Sequence, residues 1–293
     1  MFKKIIGASR PRSAQSVGNA YQEHVLFDYR GLGRQINPAI YASYAPAQDF
    51  ASTVGQAPST GVQPQCGMEC VTLLLQGQLD ARDSEQRRHT LHSGDILWHS
   101  AGRGLLSELR HGADLVQNGG QLELLTLWVN LPAQFKLSDP HCQYVSAADV
   151  PEVALPEGGG TLRVIAGEYG GAIGPAETVT PLHLWDLRLL AGRAVTLPLP
   201  SHWYTVLLVL EGRMYNHFWP DVIDAPQLVV FDAAGEEITF EAKQNSRAVL
   251  LSCQSLDEAI AGSEALVMNT EDQLMQARTR LQSGMFGEIS DTN

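Results

Sequence analysis

Between about residues 62 and 253 the chain is written in short apolar runs closed by turn residues, with no sustained helical period between them. Residues 71–75 read Val-Thr-Leu-Leu-Leu and end at Gln76-Gly77, and residues 96–98, Ile-Leu-Trp, are entered through Ser93-Gly94-Asp95. Residues 122–131 form another strand candidate. Further on, His183, Trp185, Leu187 and Leu189 alternate with Leu184, Asp186 and Arg188, the period of a strand with one buried face. Residues 206–210 and 248–253 are almost wholly apolar and predict central strands. The pattern is that of an all-β protein.

It also repeats. Val71-Thr72-Leu73-Leu74-Leu75-Gln76-Gly77 matches Val206-Leu207-Leu208-Val209-Leu210-Glu211-Gly212 without a gap, and Ile96-Leu97-Trp98 before Ala101-Gly102 parallels Val229-Val230-Phe231 before Ala234-Gly235. Two blocks in the same order predict a duplicated domain. Between the copies, residues 132–160 carry four prolines and Gly158-Gly159-Gly160, the composition of a linker. The expected domains are therefore 1–133 and 134–268. A different pattern closes the chain: Asn269-Thr270, acidic Glu271 and Asp272, then Leu274, Ala277 and Leu281 at helical spacing and Gly284 as a stop. Residues 269–293 are thus expected to form a capped helix packed on a barrel.

Length and charge narrow the function. The 293 residues suffice for two ordinary domains, and 44% hydrophobic with 18% charged residues suits packed globular cores. A formal net charge of -12 opposes direct binding to nucleic acid or anionic membranes. The opening Met1-Phe2-Lys3-Lys4-Ile5-Ile6-Gly7 fits neither a signal peptide nor a membrane span. Cys66, Cys70, Cys142 and Cys253 are too scattered for a disulfide framework or a four-cysteine zinc site and suit a reducing, cytoplasmic compartment.

Several segments resemble the pirin family of the cupin superfamily: residues 94–104, Gly-Asp-Ile-Leu-Trp-His-Ser-Ala-Gly-Arg-Gly; residues 127–132, Leu-Trp-Val-Asn-Leu-Pro; residues 163–168, Arg-Val-Ile-Ala-Gly-Glu; and residues 267–270, Val-Met-Asn-Thr. The resemblance spans roughly residues 21–287. It implies a bicupin, two antiparallel β-barrels of the jelly-roll kind packed side by side, with one divalent metal in the N-terminal barrel. It also implies either quercetin 2,3-dioxygenase chemistry or a regulatory role, both tied to that metal.

At the metal positions this chain departs from the pattern. Pirins place two ligands in His-Pro-His-Arg-Gly-Phe-Glu, where this sequence reads Gln63-Pro64-Gln65-Cys66-Gly67-Met68-Glu69. The other two come from His-x-Glu shortly after Ala-Gly-Arg-Gly. Here Ala101-Gly102-Arg103-Gly104 is followed by Leu105-Leu106-Ser107-Glu108, so either Ser107 replaces the histidine or that histidine is deleted, and Glu108 is read as the surviving carboxylate. A carboxamide oxygen is a weak donor where an imidazole is a strong one, so no iron or other transition-metal cofactor is expected. With positions 63, 65, 67 and 69 taken to share a strand face, Gln63, Gln65, Glu69, Ser107 and Glu108 are expected to line a pocket, as a hydrogen-bond cluster in preference to a weak Mg²⁺ or Ca²⁺ site.

His89, His92 and His99 are read as surface or packing residues, although His99 replaces a methionine usual in pirins, and no nucleophile-base-acid set or phosphate loop is visible. The expected function is a metal-free pirin that binds a small molecule in its first barrel or a protein partner. The alternative is a metal-dependent quercetin 2,3-dioxygenase.

Overall fold

A computed structural model of the chain describes residues 1–53 and 55–290, so the last three residues of the expected 269–293 segment lie outside it. The all-β expectation holds. One unit comprises residues 13–147 and 257–293 and is called the first barrel here; the other comprises residues 1–12 and 148–256, the second barrel.

The first barrel has a seven-stranded sheet in the order His141–Val145, Ile96–Ser100, Met68–Gln76, Gly120–Asn130, Ala39–Phe50, Tyr21–Phe27, Gln15–Val17. Its four-stranded sheet runs Gln63–Gln65, Leu105–His111, Gln78–Asp83, Arg88–His92. The second barrel repeats this arrangement. Its seven strands run Ile5–Ser9, Gln227–Phe231, Trp203–Glu211, Ser246–Gln254, Leu182–Leu189, Gly160–Ala166, Glu152–Ala154, and its four run Arg193–Pro198, Glu237–Ala242, Arg213–Tyr215, Ile223–Asp224. In each barrel, buried residues of the two sheets meet in a common core. Leu74, Leu97 and Leu124 pack with Leu79, Ala81 and Leu91 in the first, and Leu207, Val229 and Leu250 with Leu197, Ile238 and Phe240 in the second.

The repeated segments Met68–Gln76 and Trp203–Glu211 are both third in their sheets, as a duplication requires. Both end at a glycine with positive φ, 100° at Gly77 and 83° at Gly212. A Cβ at either would meet a backbone carbonyl, that of Gln121 at 2.5 Å or of Asn245 at 2.4 Å, so glycine is fixed at both by the same close approach. The second block is one residue out of the register read from sequence. Cys70 pairs with His99 and Thr205 with Phe231, which sets Leu228-Val229-Val230, and not Val229-Val230-Phe231, against Ile96-Leu97-Trp98. A one-residue slip exchanges inward and outward faces, and uniformly apolar runs do not reveal it.

The two units differ from the boundaries expected at 133/134 and 268/269. Strand Ile5–Ser9, from the start of the chain, pairs with Gln227–Phe231 at the edge of the second barrel. Residues 257–293 belong to the first, where helix Glu271–Gln282 buries Leu274 and Ala277 against Cys66, Leu266, Met268 and Phe286. The helix is capped as its sequence predicts: Thr270 and Gln273 form a capping box, and at the other end Gly284 N–H donates to Leu281 O and Met285 N–H to Arg280 O, a Schellman closure. Among the described residues no helix is long and apolar enough to cross a membrane.

Candidate functional site

The first barrel encloses a cavity of about 140 Å³ between its two sheets. Strand alternation decides what faces it. From the large sheet come Tyr21, Glu23, Tyr41, Cys70, Thr72, Leu97, His99, Thr126 and Trp128; from the small sheet come Gln63, Gln65, Ser107 and Leu109. One row of cross-strand partners, Cys142, His99, Cys70, Trp128 and Tyr41, runs across five strands at the level of the cavity. Tyr41 and Trp128 stack with ring centroids 4.1 Å apart.

Glu23 is the buried carboxylate of this cavity. It accepts hydrogen bonds from Tyr41 Oη at 2.9 Å, Ser43 Oγ at 2.6 Å and Gln15 Nε2 at 3.1 Å. Burial, together with the neighbouring Glu23 charge, holds the Tyr21 and Tyr41 phenols well above the usual tyrosine range, and burial pushes the Cys70 thiol up to about 12. All three therefore stay protonated at neutral pH. Gln63 donates from Nε2 to Thr60 O at 2.9 Å, whereas the buried Gln65 Oε1 has no hydrogen-bond partner among the described residues. That orphaned acceptor marks a place for a donor from a ligand or solvent.

Three of the five sequence-predicted residues meet here and two do not. Gln63, Gln65 and Ser107 line the cavity, and Ser107 stands directly opposite Gln63 across the strand pair. Glu69 does not join them. Gly67, at φ 72°, interrupts the strand between Gln63–Gln65 and Met68–Gln76, so the inward parity changes from odd to even and Glu69 turns away. The turn is built for glycine, since a Cβ there would lie 2.0 Å from Val267 O, and buried Lys136 binds the carbonyls of both Gly67 and Val267. Glu69 is nonetheless buried, with Oε2 unpartnered, and burial pushes its carboxyl up to about 7.

Glu108 also points away, because its neighbours Ser107 and Leu109 take the inward places on the strand. It bonds Ser59 Oγ, Arg82 Nε at 2.5 Å and Arg110 Nε at 3.1 Å. Burial opposes its ionisation, yet these hydrogen bonds prevail and hold the carboxyl below its usual range. A His-x-Glu pair facing the cavity would occupy positions 107 and 109. No deletion is then needed, and the residues found there are Ser107 and Leu109.

The four inward positions that correspond to the pirin ligands thus carry two carboxamides, a hydroxyl and an isobutyl group. This donor set does not fit iron, nickel, copper or zinc, which need imidazole, thiolate or carboxylate ligands. Sequence reasoning missed Glu23, Tyr41 and Thr126 as cavity residues. The alternation of Tyr21, Glu23 and Val25 carried the signal for the first of these.

Comparison with known proteins agrees with this architecture. Residues 21–129 match the Pirin family and residues 184–287 its C-terminal cupin domain. A Pseudomonas aeruginosa protein named "Putative quercetin 2,3-dioxygenase PA2418" is 34% identical over 285 residues, covering 97% of this chain and 99% of its own. A pirin-like protein of Caulobacter vibrioides is 32% identical over 226 residues, 76% of this chain and 79% of its own. The crystal structure of a quercetin 2,3-dioxygenase from Acinetobacter baumannii superposes with a TM-score of 0.95 at 34% identity, covering 99% of this chain and 100% of that one. With both barrels matched and relatives aligned over nearly the whole length, the chain belongs to the pirin family and has its bicupin fold.

Proposed function

We propose that this pirin binds a small organic molecule in the cavity of its first barrel and holds no redox metal at the family's ligand positions. The observation that carries this reading is the replacement of all four inward donors by Gln63, Gln65, Ser107 and Leu109. The cavity keeps what recognition of an organic ligand needs: the stacked Tyr41–Trp128 pair as an aromatic wall, the Gln65 Oε1 acceptor, and the Glu23 carboxylate held by neutral donors. Free cysteines throughout the described chain suit a reducing cytoplasm.

A second reading, quercetin 2,3-dioxygenase activity, is favoured by the name and 34% identity of the full-length relatives. One titration separates the two. Quercetin added to the purified chain is expected to quench tryptophan fluorescence saturably, with the effect weakened in Trp128→Leu, and without oxygen uptake above the buffer control. Oxygen uptake that tracks protein concentration and stops on chelation would establish the second reading in place of the first.

A further inference from the structure

At the edge of the cavity, where His99 forms part of the wall, three ligand-bearing side chains converge. Cys142 and His99 are direct cross-strand partners, and Asp83 reaches them from the smaller sheet. One potential ligand atom from each of Asp83, His99 and Cys142 lies within 4.8 Å of the other two. We propose that Asp83, His99 and Cys142 form a Zn²⁺ site, separate from the positions at which the family holds its metal, with His99 shared between this site and the cavity wall.

Three observations support it. His99 Nε2 stands 3.7 Å from Asp83 Oδ2. That is too long for a hydrogen bond and close to the roughly 3.3–3.5 Å between two nitrogen or oxygen ligands of one tetrahedral zinc, each about 2.0–2.1 Å from the ion. The carboxylate is oriented as a ligand usually is, through its other oxygen: Asp83 Oδ1 accepts from the backbone N–H groups of Glu85 at 3.0 Å and Arg87 at 3.1 Å. Lastly, the second barrel places Ile5 and Phe231 at the cross-strand pair equivalent to Cys142 and His99, so the fold does not require polar side chains there.

Imidazole, thiolate and carboxylate together suit zinc, and three protein ligands leave one position for water. Binding releases the Cys142 thiol proton to solvent as the thiolate forms. The competing cation is Arg87, whose Nε lies 2.7 Å from Asp83 Oδ2. Its side chain is a quarter exposed, while Nη1 donates to Pro140 O at 3.4 Å and Nη2 is buried, so entry of the ion requires the guanidinium to give up its contacts with both Asp83 and Pro140.

The test uses the full chain stripped with chelator and titrated with Co²⁺, then Zn²⁺. One Co²⁺ per chain is expected, with a thiolate-to-cobalt charge-transfer band that one equivalent of Zn²⁺ removes. Cys142→Ser, nearly isosteric, should abolish the band. His99→Phe, which takes the residue found at the equivalent place in the second barrel, should weaken Zn²⁺ binding at least about a hundredfold through loss of a ligand. A Gln63→Leu, Gln65→Leu double variant should bind as the parent does. No metal bound by the parent, a band that survives Cys142→Ser, or binding lost in the double glutamine variant would each overturn the proposal.

Discussion

The two barrels share a sheet order but not an interior. In the first, the row across the large sheet reads Cys142, His99, Cys70, Trp128, Tyr41; in the second it reads Ile5, Phe231, Thr205, Ser252, His183. One level further in, Leu97, Thr72 and Thr126 stand opposite one another in the first barrel, where the second has Val229, Leu207 and Leu250. Those three residues and Phe231 belong to one buried apolar cluster, and the Thr205–Ser252 pair beside it is closed on itself by the 2.9 Å contact of Thr205 Oγ1 with Ser252 Oγ. One frame therefore supports either a filled core or a polar cavity. The choice lies in a few inward side chains.

The largest way to sharpen this contrast is to return the first barrel to the family's chemistry. The variant Gln63→His, Gln65→His, Ser107→His, Leu109→Glu alters only inward positions and is expected to bind Ni²⁺ or Fe²⁺ near-stoichiometrically by metal analysis. The parent should bind neither at those positions. Placing the carboxylate through Glu108 instead, with Leu109 retained, should give markedly weaker binding, because that side chain faces Arg82 and Arg110.

The next effect exchanges the interiors. Leu207→Thr with Leu250→Thr should destabilise the second barrel by roughly 4–6 kcal/mol, since both leucines are fully buried and the new hydroxyls lose water. Thr72→Leu with Thr126→Leu should cost the first barrel less than about 3 kcal/mol, because the added methyl groups enter a cavity, and should abolish quercetin quenching. Denaturant midpoints measure both. Equal costs would break the comparison.

The smallest concerns Glu69, whose equivalent in the second barrel is Tyr204. Burial raises the Glu69 carboxyl from 4.5 to about 7, so the folded chain holds this proton more tightly than the unfolded one. Stability is then lost as pH rises from 4.5 to about 7 and stays lost above it. Glu69→Gln should be more stable than the parent by on the order of 3 kcal/mol at alkaline pH, with the difference vanishing in acid. Unfolding at several pH values checks this.

Much of this was legible in sequence. Apolar runs ending in glycine marked the strands, the ungapped match of 71–77 with 206–212 marked the duplication, and Thr270 with Gln273 marked the last helix. What stayed hidden turns on parity and on partners remote in sequence. Glu69 shares odd numbering with Gln63 and Gln65, and only the left-handed backbone at Gly67, imposed by Val267 some two hundred residues on, separates their faces. The choice between Ser107–Leu109 and Ser107–Glu108 likewise rests on which residues meet Gln63 across the strands. His99 reads as surface or packing in sequence because its cross-strand partners Cys70 and Cys142 are remote in the pattern that periodicity reads, and the structure places it, buried, on the cavity wall.

The exchange of chain ends has a consequence for synthesis on the ribosome. Ile5–Ser9 is made well before its partner Gln227–Phe231, which emerges more than two hundred residues later. The first barrel in turn waits for residues 265–267, which pair with Cys66, and for the helix that covers it. Neither domain is complete on a nascent chain of half length. A growing polypeptide of this kind carries an open sheet edge until residues 227–231 are added, and its domains close later than two domains strung in series would.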